Sequence, residues 1–564
     1  MPPRPPRRAP VVRRVLWMGW GVALGLLAAC GPGPETVVPS VTTPPPPTRG
    51  VILLSLDTLG AAHLGAYGYE RDTSPFLDEL ATRGVLFENA VVQYPSTLVS
   101  HMSMFSGLYP QEHGVYRDLM RLASEIVPLP EVFSRAGFTT AGFTEDGYVS
   151  AKVGFDRGFD VFAEAKPGGR AVEKTLAKGL EFLNSLEADE RFFLFLHTYA
   201  VHPPYEPPTE YRGLFWEGKT PEKSDVSAQF VREVYMGRRQ LTSDGAAYLS
   251  SQYDALVRYL DDSLAAFFDR IESLGLKDEI TVVVTSDHGE EFLEHRVLGH
   301  YQVYPATLFV PLIVLHPQIE GGRRVSGLVE SVDLLPTLCE LSGFECPPRL
   351  SGRSLVAELV GGTVEAEATD TAYAEVLEQE SVRTLVARDG GRLVQILRAS
   401  RIGEPGGTWM ARSIRFDAEG EELTIRLVSF ARPREVFVRI DEEEHPQFTV
   451  GEEWKEVTLN LGHSGRHRVE LLTDGCDVPK WLGRGDDSRC LSLKIQGVEL
   501  ERTELFDLTG SRWNARDVSL DQPELLARLV DRLENRRFEL VAPPVEADSG
   551  ETRRDELRAL GYVD

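Results

Sequence analysis

The chain has 564 residues, enough for a large core and more than one domain; 42% are hydrophobic and 26% charged. Its formal net charge is -26. That argues against nucleic acid as a partner, because phosphate backbones are held by Lys and Arg. An acidic chain that takes an anionic ester needs a pocket made locally positive by a metal or by cationic side chains.

The chain opens on a basic region of Arg4, Arg7, Arg8, Arg13 and Arg14, followed by an apolar stretch from Val15 to Ala29. That stretch is short for a stable membrane span. It ends in Leu27-Ala28-Ala29-Cys30, which resembles a bacterial lipobox. The resemblance implies a signal peptide over residues 1–29 and lipidation of Cys30. It implies a membrane partner through that lipid, in the bacterial cell envelope, on its periplasmic or outer-membrane face. An uncleaved single anchor is the alternative, and both place the body outside the cytoplasm. Residues 30–49, with Pro44 to Pro47, read as an extended tether. Cys339 lies near Cys346, and Cys476 near Cys490. An oxidising compartment leads us to expect two short-loop disulfides, with the pairing left open.

From Gly50 to about Gly352, short apolar runs alternate with helical periodicity. Val51 to Leu56, Phe192 to Leu196, Ile280 to Thr285 and Leu312 to Leu315 read as strands. Ser74 to Gly84 reads as a helix capped by Ser74 with Pro75 in its first turn, and Tyr253 to Leu274 as a long amphipathic helix. This alternation predicts an α/β domain over residues 50–398 with a mostly parallel sheet flanked by helices, and a site at the carboxyl ends of the strands. Between 399 and 501 the pattern changes to short alternating segments at Leu423–Val428, Val436–Ile440, Val457–Leu461, Val469–Leu472 and Leu491–Ile495. These predict an inserted β-sandwich. Trp409, Trp454 and Trp481 could stack on sugars there or serve as core. Residues 502–564 form a small C-terminal subdomain and tail, with helices at Gln522–Arg537 and Arg553–Leu560.

Asp57 and the pair Asp287-His288 stand at strand ends, where carboxylates and imidazole suit a divalent cation. Thr97 opens a helix that runs to Gly107. The helix N-terminus favours an anion, and a hydroxyl beside a metal there can act as nucleophile. His101 follows one turn later on the same face. On spacing alone, Asp57 and Thr97 also fit simple capping roles, and His101 a satisfied histidine.

The order of motifs resolves that ambiguity. Leu54-Ser55-Leu56-Asp57-Thr58-Leu59, Ser106-Gly107-Leu108-Tyr109-Pro110 with His113-Gly114-Val115, and His202-Pro203-Pro204-Tyr205 occur in sequence. Ser286-Asp287-His288-Gly289-Glu290, Gly299-His300, Val310-Pro311-Leu312 and Val332-Asp333-Leu334-Leu335-Pro336-Thr337 follow, and Glu504-Leu505-Phe506-Asp507-Leu508 comes near the end. Together they resemble the sulfatase family of the alkaline phosphatase superfamily. The resemblance implies metal ligation by Asp57, Thr97, Asp287 and His288, and catalytic or anion-binding roles for Thr97, His101, His202 and His300.

Departures from the family pattern shape the expected chemistry. Sulfatases carry Cys or Ser in a Cys/Ser-x-Pro-x-Arg motif and oxidise it to formylglycine. Counting back from Gly107 puts Thr97 there, with Val99 in place of the Pro and His101 in place of the Arg. Thr58 replaces a second family Asp, and His288 stands where many members have Asn. The pattern resembles the Thr-nucleophile branch of lipoteichoic acid synthases and phosphoethanolamine transferases. It implies one divalent metal (Mn, Zn, Ca or Mg) and no formylglycine. The expected reaction is hydrolysis or transfer of a phosphate or sulfate ester, the partner being an anionic ester on a glycan or lipid headgroup. A formylglycine-independent sulfatase acting on sulfated glycans, and a non-catalytic glycan-binding lipoprotein, are the alternatives.

Overall fold

The computed structural model describes residues 43–546, apart from 118–119, 167–170, 222–223, 236–237, 301, 363–369, 378–379, 402–407, 411–412, 475–490, 497–499 and 511. The expected leader, Cys30, Cys476, Cys490, Trp481 and the helix Arg553–Leu560 lie outside the described residues. Among the described residues no helix is long and apolar enough to cross a membrane.

Runs such as Val51-Ile52-Leu53-Leu54 are apolar on consecutive residues, the signature of strands buried on both faces. They assemble a nine-stranded sheet. Its path runs Phe309–Val310, Val85–Val91, Leu312–Leu315, Ile280–Thr285, Gly50–Leu56, Phe192–Thr198, Thr139–Thr144 and Val161–Glu164; Arg323–Glu330 also pairs with Val85–Val91. Pairing is parallel through the centre, and Leu312–Leu315 runs antiparallel to both neighbours.

Alternate residues of each strand feed two cores. Val51, Leu53, Phe193, Phe195 and Val283 pack under the helices Thr97–Ser106, Leu129–Arg135 and Leu334–Ser342. Ile52, Leu54, Leu194, Leu196, Val282 and Val284 pack under Pro75–Arg83, Ala171–Ser185 and Ser243–Ser273. Each such side chain, fully buried, contributes roughly 1.5–3 kcal/mol. The last helix begins ten residues before its expected start. Thr242 caps it by accepting the Gly245 N–H at 3.1 Å, and Ala246 and Leu249 extend the buried stripe.

A second, antiparallel sheet joins Thr371–Leu377, Glu380–Asp389, Arg392–Arg401 and Glu501–Asp507, and the helix Pro523–Glu534 packs on it through Leu525, Leu526, Leu529 and Leu533. The chain leaves this sheet after Arg392–Arg401 and returns at Glu501–Asp507. Between them lie two four-stranded antiparallel sheets. One orders Thr408–Met410, Leu493–Gln496, Glu422–Ser429 and Lys455–Asn460; the other orders Ser413–Glu419, Arg466–Thr473, Arg434–Ile440 and Glu443–Val450. Ile425, Leu427, Val436, Val438, Val469 and Leu471 alternate into their shared core, as a period of two requires.

Of the two expected disulfides, that of Cys476 and Cys490 falls outside the described residues; Cys339 and Cys346 are free thiols. Cys339 is buried within the helix Leu334–Ser342, its thiol hydrogen-bonded with that of Cys346, whose Sγ also lies 3.9 Å from the Pro336 carbonyl.

Candidate active site

Three adjacent strands at the sheet centre deliver the site. Gly50–Leu56 lies between Phe192–Thr198 and Ile280–Thr285, with Ser55 in register with both His197 and Thr285. All three run parallel, so Asp57, His197 and Asp287 emerge together at their carboxyl ends, where open α/β sheets bind ligands.

Asp287 is held by backbone. Its Oδ1 accepts the N–H groups of Thr58 at 3.2 Å and His288 at 3.0 Å, leaving Oδ2 buried with no hydrogen-bond partner. Asp57 approaches His197 Nε2 through Oδ2 at 3.2 Å, and its Oδ1 is likewise buried without a partner. Ser286 fixes the turn: its hydroxyl accepts the Leu59 N–H and donates to the His288 carbonyl. His288 Nδ1 faces the Gly289 carbonyl at 3.1 Å, which turns Nε2 toward Thr97 Oγ1 at 3.4 Å. Thr58 adopts φ 58°, a left-handed conformation rare for a β-branched residue. The Tyr253 hydroxyl holds it, donating to the Thr58 carbonyl and accepting the Gly60 N–H. The Thr58 Oγ1 is buried and unpartnered.

Thr97 begins the helix Thr97–Ser106, all of whose residues are buried. Ser100 ties this helix to the turn after Ile280–Thr285 by donating to the Asp287 carbonyl at 2.7 Å. Gly107 ends it in the left-handed conformation, at φ 67°. His101, expected beside the anion, has both ring nitrogens engaged: Nδ1 with the Thr97 carbonyl and Nε2 with Ser55 Oγ, each at 2.8 Å. Its Nδ1 also lies 3.5 Å from Asp287 Oδ2.

His202 and His300 stand nearer one another. Their ring centroids are 5.4 Å apart, and His300 lies 4.4 Å from His288. His202 Nδ1 meets the Pro203 carbonyl at 2.7 Å, and His300 Nδ1 meets Glu290 Oε1 at 3.1 Å.

The electrostatics follow from burial. Burial and the neighbouring charge of Asp287 push the Asp57 carboxyl well above its ordinary range. Burial pulls His288 down to about 4, and draws His101, His197 and His202 below their ordinary value. This arrangement is suited to a cation. Asp57, Asp287 and His288 each offer one ligand atom, and these lie within 4.8 Å of one another. A divalent ion there would satisfy the two orphaned oxygens and offset two buried charges. His101, His197 and Asp287 make a second compact set, but the engaged nitrogens of His101 leave it no lone pair to give.

His197 escaped the sequence reading. Its signal was the polar ring closing an otherwise apolar strand, Phe192 to Leu196, at the edge where ligands bind.

Comparison with known proteins agrees with this geometry. A family model described as Sulfatase matches residues 49–344. Arylsulfatase K of Mus musculus is 22% identical over 383 residues, spanning 61% of this chain and 69% of that protein. Coverage of other arylsulfatase K sequences falls to 61% of their length. Iduronate 2-sulfatase of Homo sapiens is 26% identical over 441 residues, spanning 63% of this chain and 78% of that protein. The crystal structure of phosphonate monoester hydrolase from Agrobacterium radiobacter superposes with a TM-score of 0.53 at 20% identity, covering 62% of this chain and 86% of that one. With the family match extending over more than half its length and the sheet, strand-end carboxylates and helix of that fold in place, this chain belongs to the sulfatase family of the alkaline phosphatase superfamily.

Proposed function

We propose that the chain is a metal-dependent hydrolase of anionic esters that uses the unmodified hydroxyl of Thr97 as its nucleophile. The observation that carries this reading is the convergence of Thr97 Oγ1 on His288 Nε2 beside two buried carboxylates with an unsatisfied oxygen each. Asp57, Asp287 and His288 would hold the metal, and an imidazole in the set favours Zn over Ca or Mg. When bound, such an ion stabilises the charge that develops on the ester oxygens.

The residues of the chain do the rest. The N-terminus of the helix Thr97–Ser106 points its first N–H groups at the bound anion. Thr97 Oγ would bond to sulfur or phosphorus as the bond to the leaving oxygen breaks, and the Thr97 proton would be relayed through the neutral imidazole of His202 or His300 to that oxygen. Water would then cleave the Thr97 ester, one of its protons restoring the Thr97 hydroxyl. His101 acts through Thr97, fixing the first turn of the helix by its bonds to the Thr97 carbonyl and Ser55.

Threonine carries one hydroxyl. It cannot expel a bound group by collapsing to an aldehyde, as hydrated formylglycine does, so the second step needs direct attack on the central atom. That step suits phosphorus, and the resemblance in fold to a phosphonate monoester hydrolase fits it. A second reading, a formylglycine-independent sulfatase acting on sulfated glycans, is favoured by relatives named for sulfate esters. Both readings keep the enzyme at the cell envelope, tethered through Cys30.

The test is Thr97→Ala, assayed with 4-nitrophenyl sulfate, 4-nitrophenyl phosphate and 4-nitrophenyl phenylphosphonate over a panel of divalent metals. We expect turnover to fall by about a thousandfold or more with folding unchanged. Undiminished turnover rejects Thr97 as the nucleophile, and the preferred probe separates phosphorus from sulfur.

A further inference from the structure

The inserted sandwich reaches back to the pocket. Its sheet containing Arg466–Thr473 presents Glu470 outward, where it accepts two hydrogen bonds from Arg296 Nη1, at 3.1 and 3.0 Å. Arg415 Nε at 3.0 Å and Arg439 Nη1 at 3.3 Å hold the same carboxylate from within the sandwich. The Glu470 side chain is only 9% exposed.

Arg296 stands at the corner of a short hairpin. Glu291–Phe292 pairs with Leu298–Gly299, and Glu291 lies opposite Gly299. That register sets Glu290 beside His300, which are bonded at 3.1 Å. The corner is strained: Leu293 has φ 78° and Arg296 φ 67°, both left-handed and neither glycine. Two backbone bonds, Leu293 N–H to the Val297 carbonyl and Arg296 N–H to the Leu293 carbonyl, close it, and the Glu291 carboxylate accepts the His295 N–H at 2.6 Å. Such a turn persists when its surroundings over-determine it. Outside contacts do so. His295 stacks on Tyr304 at 4.2 Å and meets Phe506 edge-on, Phe292 packs against Tyr253, and at the tip Glu470 grips Arg296, with Glu442 3.7 Å away.

The sandwich has a separate attachment. Arg468 bonds Glu504, Asp517 and the Thr503 carbonyl, and Arg466 bonds the Thr503 carbonyl as well. The Glu470–Arg296 contact is therefore not needed to dock it.

We propose that the inserted sandwich is a positioning element for the pocket: Glu470, through Arg296, fixes the hairpin that aligns Glu290 and His300. The catalytic consequence rests on the hydrolase reading above; the mechanical one does not. Arg296 and Glu470 are positioning residues, acting through the hairpin.

The experiment compares Arg296→Ala, Arg296→Lys and Glu470→Gln with the parent in the full chain, by hydrogen exchange and by kinetics on the ethyl esters of sulfate and phenylphosphonate, whose leaving oxygen needs a proton. Arg296→Ala lies outside the sandwich and guards against a Glu470 variant that fails to fold. We expect exchange over residues 291–300 to rise by about fivefold in Arg296→Ala and Glu470→Gln, with strands Ser413–Glu419 and Arg466–Thr473 unchanged in Arg296→Ala. Turnover number falls by a similar factor while KM holds, and Arg296→Lys recovers part of both. Unchanged exchange at 291–300 overturns the proposal, as does a rise spread equally through the sandwich in Arg296→Ala. Raised exchange with unaltered turnover overturns the positioning role. If the parent turns over neither probe, the hydrolase reading fails, and the exchange data alone decide whether the clamp exists.

Discussion

Replacing Asp57 by Asn should have opposite effects on stability with and without metal. The ligand atoms of Asp57 and Asp287 lie within 4.8 Å of each other, and each residue has one buried oxygen with no partner. At an effective dielectric of about 20, two unit charges at that separation repel by about 3 kcal/mol. In metal-free protein a proton relieves both the burial of the charge and that repulsion, which is why the Asp57 carboxyl stands well above its ordinary range. Asp57→Asn removes the repulsion at almost constant volume, so the metal-free variant should be more stable than the parent by about 1–3 kcal/mol. With metal the sign reverses. An ion at a hundredfold excess over its Kd adds about 3 kcal/mol to the parent, and a site short of one carboxylate forfeits most of that. Calorimetry of both proteins in EDTA and in Mn or Zn at fixed concentration reads the two effects, at roughly 2 °C per kcal/mol. If Asp57→Asn lowers the midpoint equally in both conditions, Asp57 is a structural carboxylate and the metal assignment falls.

His202→Gln and His300→Gln should slow hydrolysis of esters with alkyl leaving groups by about 10²–10⁴-fold, the range for a lost general acid. Esters of 4-nitrophenol should be nearly unaffected, since that leaving group needs no proton; equal losses on both would point to binding instead. His113 offers a test of pH dependence away from the metal. It is buried, with Nδ1 accepting the Val115 N–H at 3.1 Å and Nε2 facing Ser103 Oγ at 3.0 Å, so the fold requires its neutral form. Burial pushes its pKa down to about 3. The folded state therefore binds fewer protons than the unfolded one, and the contribution to stability, complete above about pH 6.5, is lost as pH falls toward 3. Urea denaturation should show the parent losing about 3 kcal/mol more than His113→Gln between pH 7.5 and 4.5. Parallel pH profiles would show that His113 charges without penalty.

The strand ends were legible because burial on both faces leaves a continuous apolar run, and its first polar residue marks the edge of the sheet. Asp57 and Asp287 follow Gly50–Leu56 and Ile280–Thr285 in that way. Thr97 was legible only by counting back from Gly107, whose left-handed φ of 67° fixes the helix end. His101 shows where spacing stops helping. A residue four places after Thr97 shares its helix face, but spacing does not say what that face meets; here it meets Ser55 and the buried helix start. The sandwich strands were visible from their period of two. The docking of their outer face was not, since an outward charge on an alternating strand carries no mark of what it faces; Glu470 meets Arg296, Arg415 and Arg439 only once the chain is folded.

Two departures from the family pattern make sense only as a pair. Thr58 stands where the family has a second Asp, which removes one negative charge. His101 stands where it has an Arg, which removes one positive charge, since burial favours the neutral ring. Both positions have no exposed surface, so either change alone would leave an uncompensated charge in a dry cavity, at a cost of several kcal/mol. Together they keep the balance and cut the number of fixed ions. An Arg at 101 would also lie against Asp287, whose Oδ2 is 3.5 Å from His101 Nδ1, and would draw that carboxylate away from a metal. Neutral His101 leaves Asp287 Oδ2 available, and it steadies the helix start through the Thr97 carbonyl. On the proposed reading of Thr97 as nucleophile, an unmodified hydroxyl would depend more on a metal for activation, and the paired substitution would keep both carboxylates directed to that purpose.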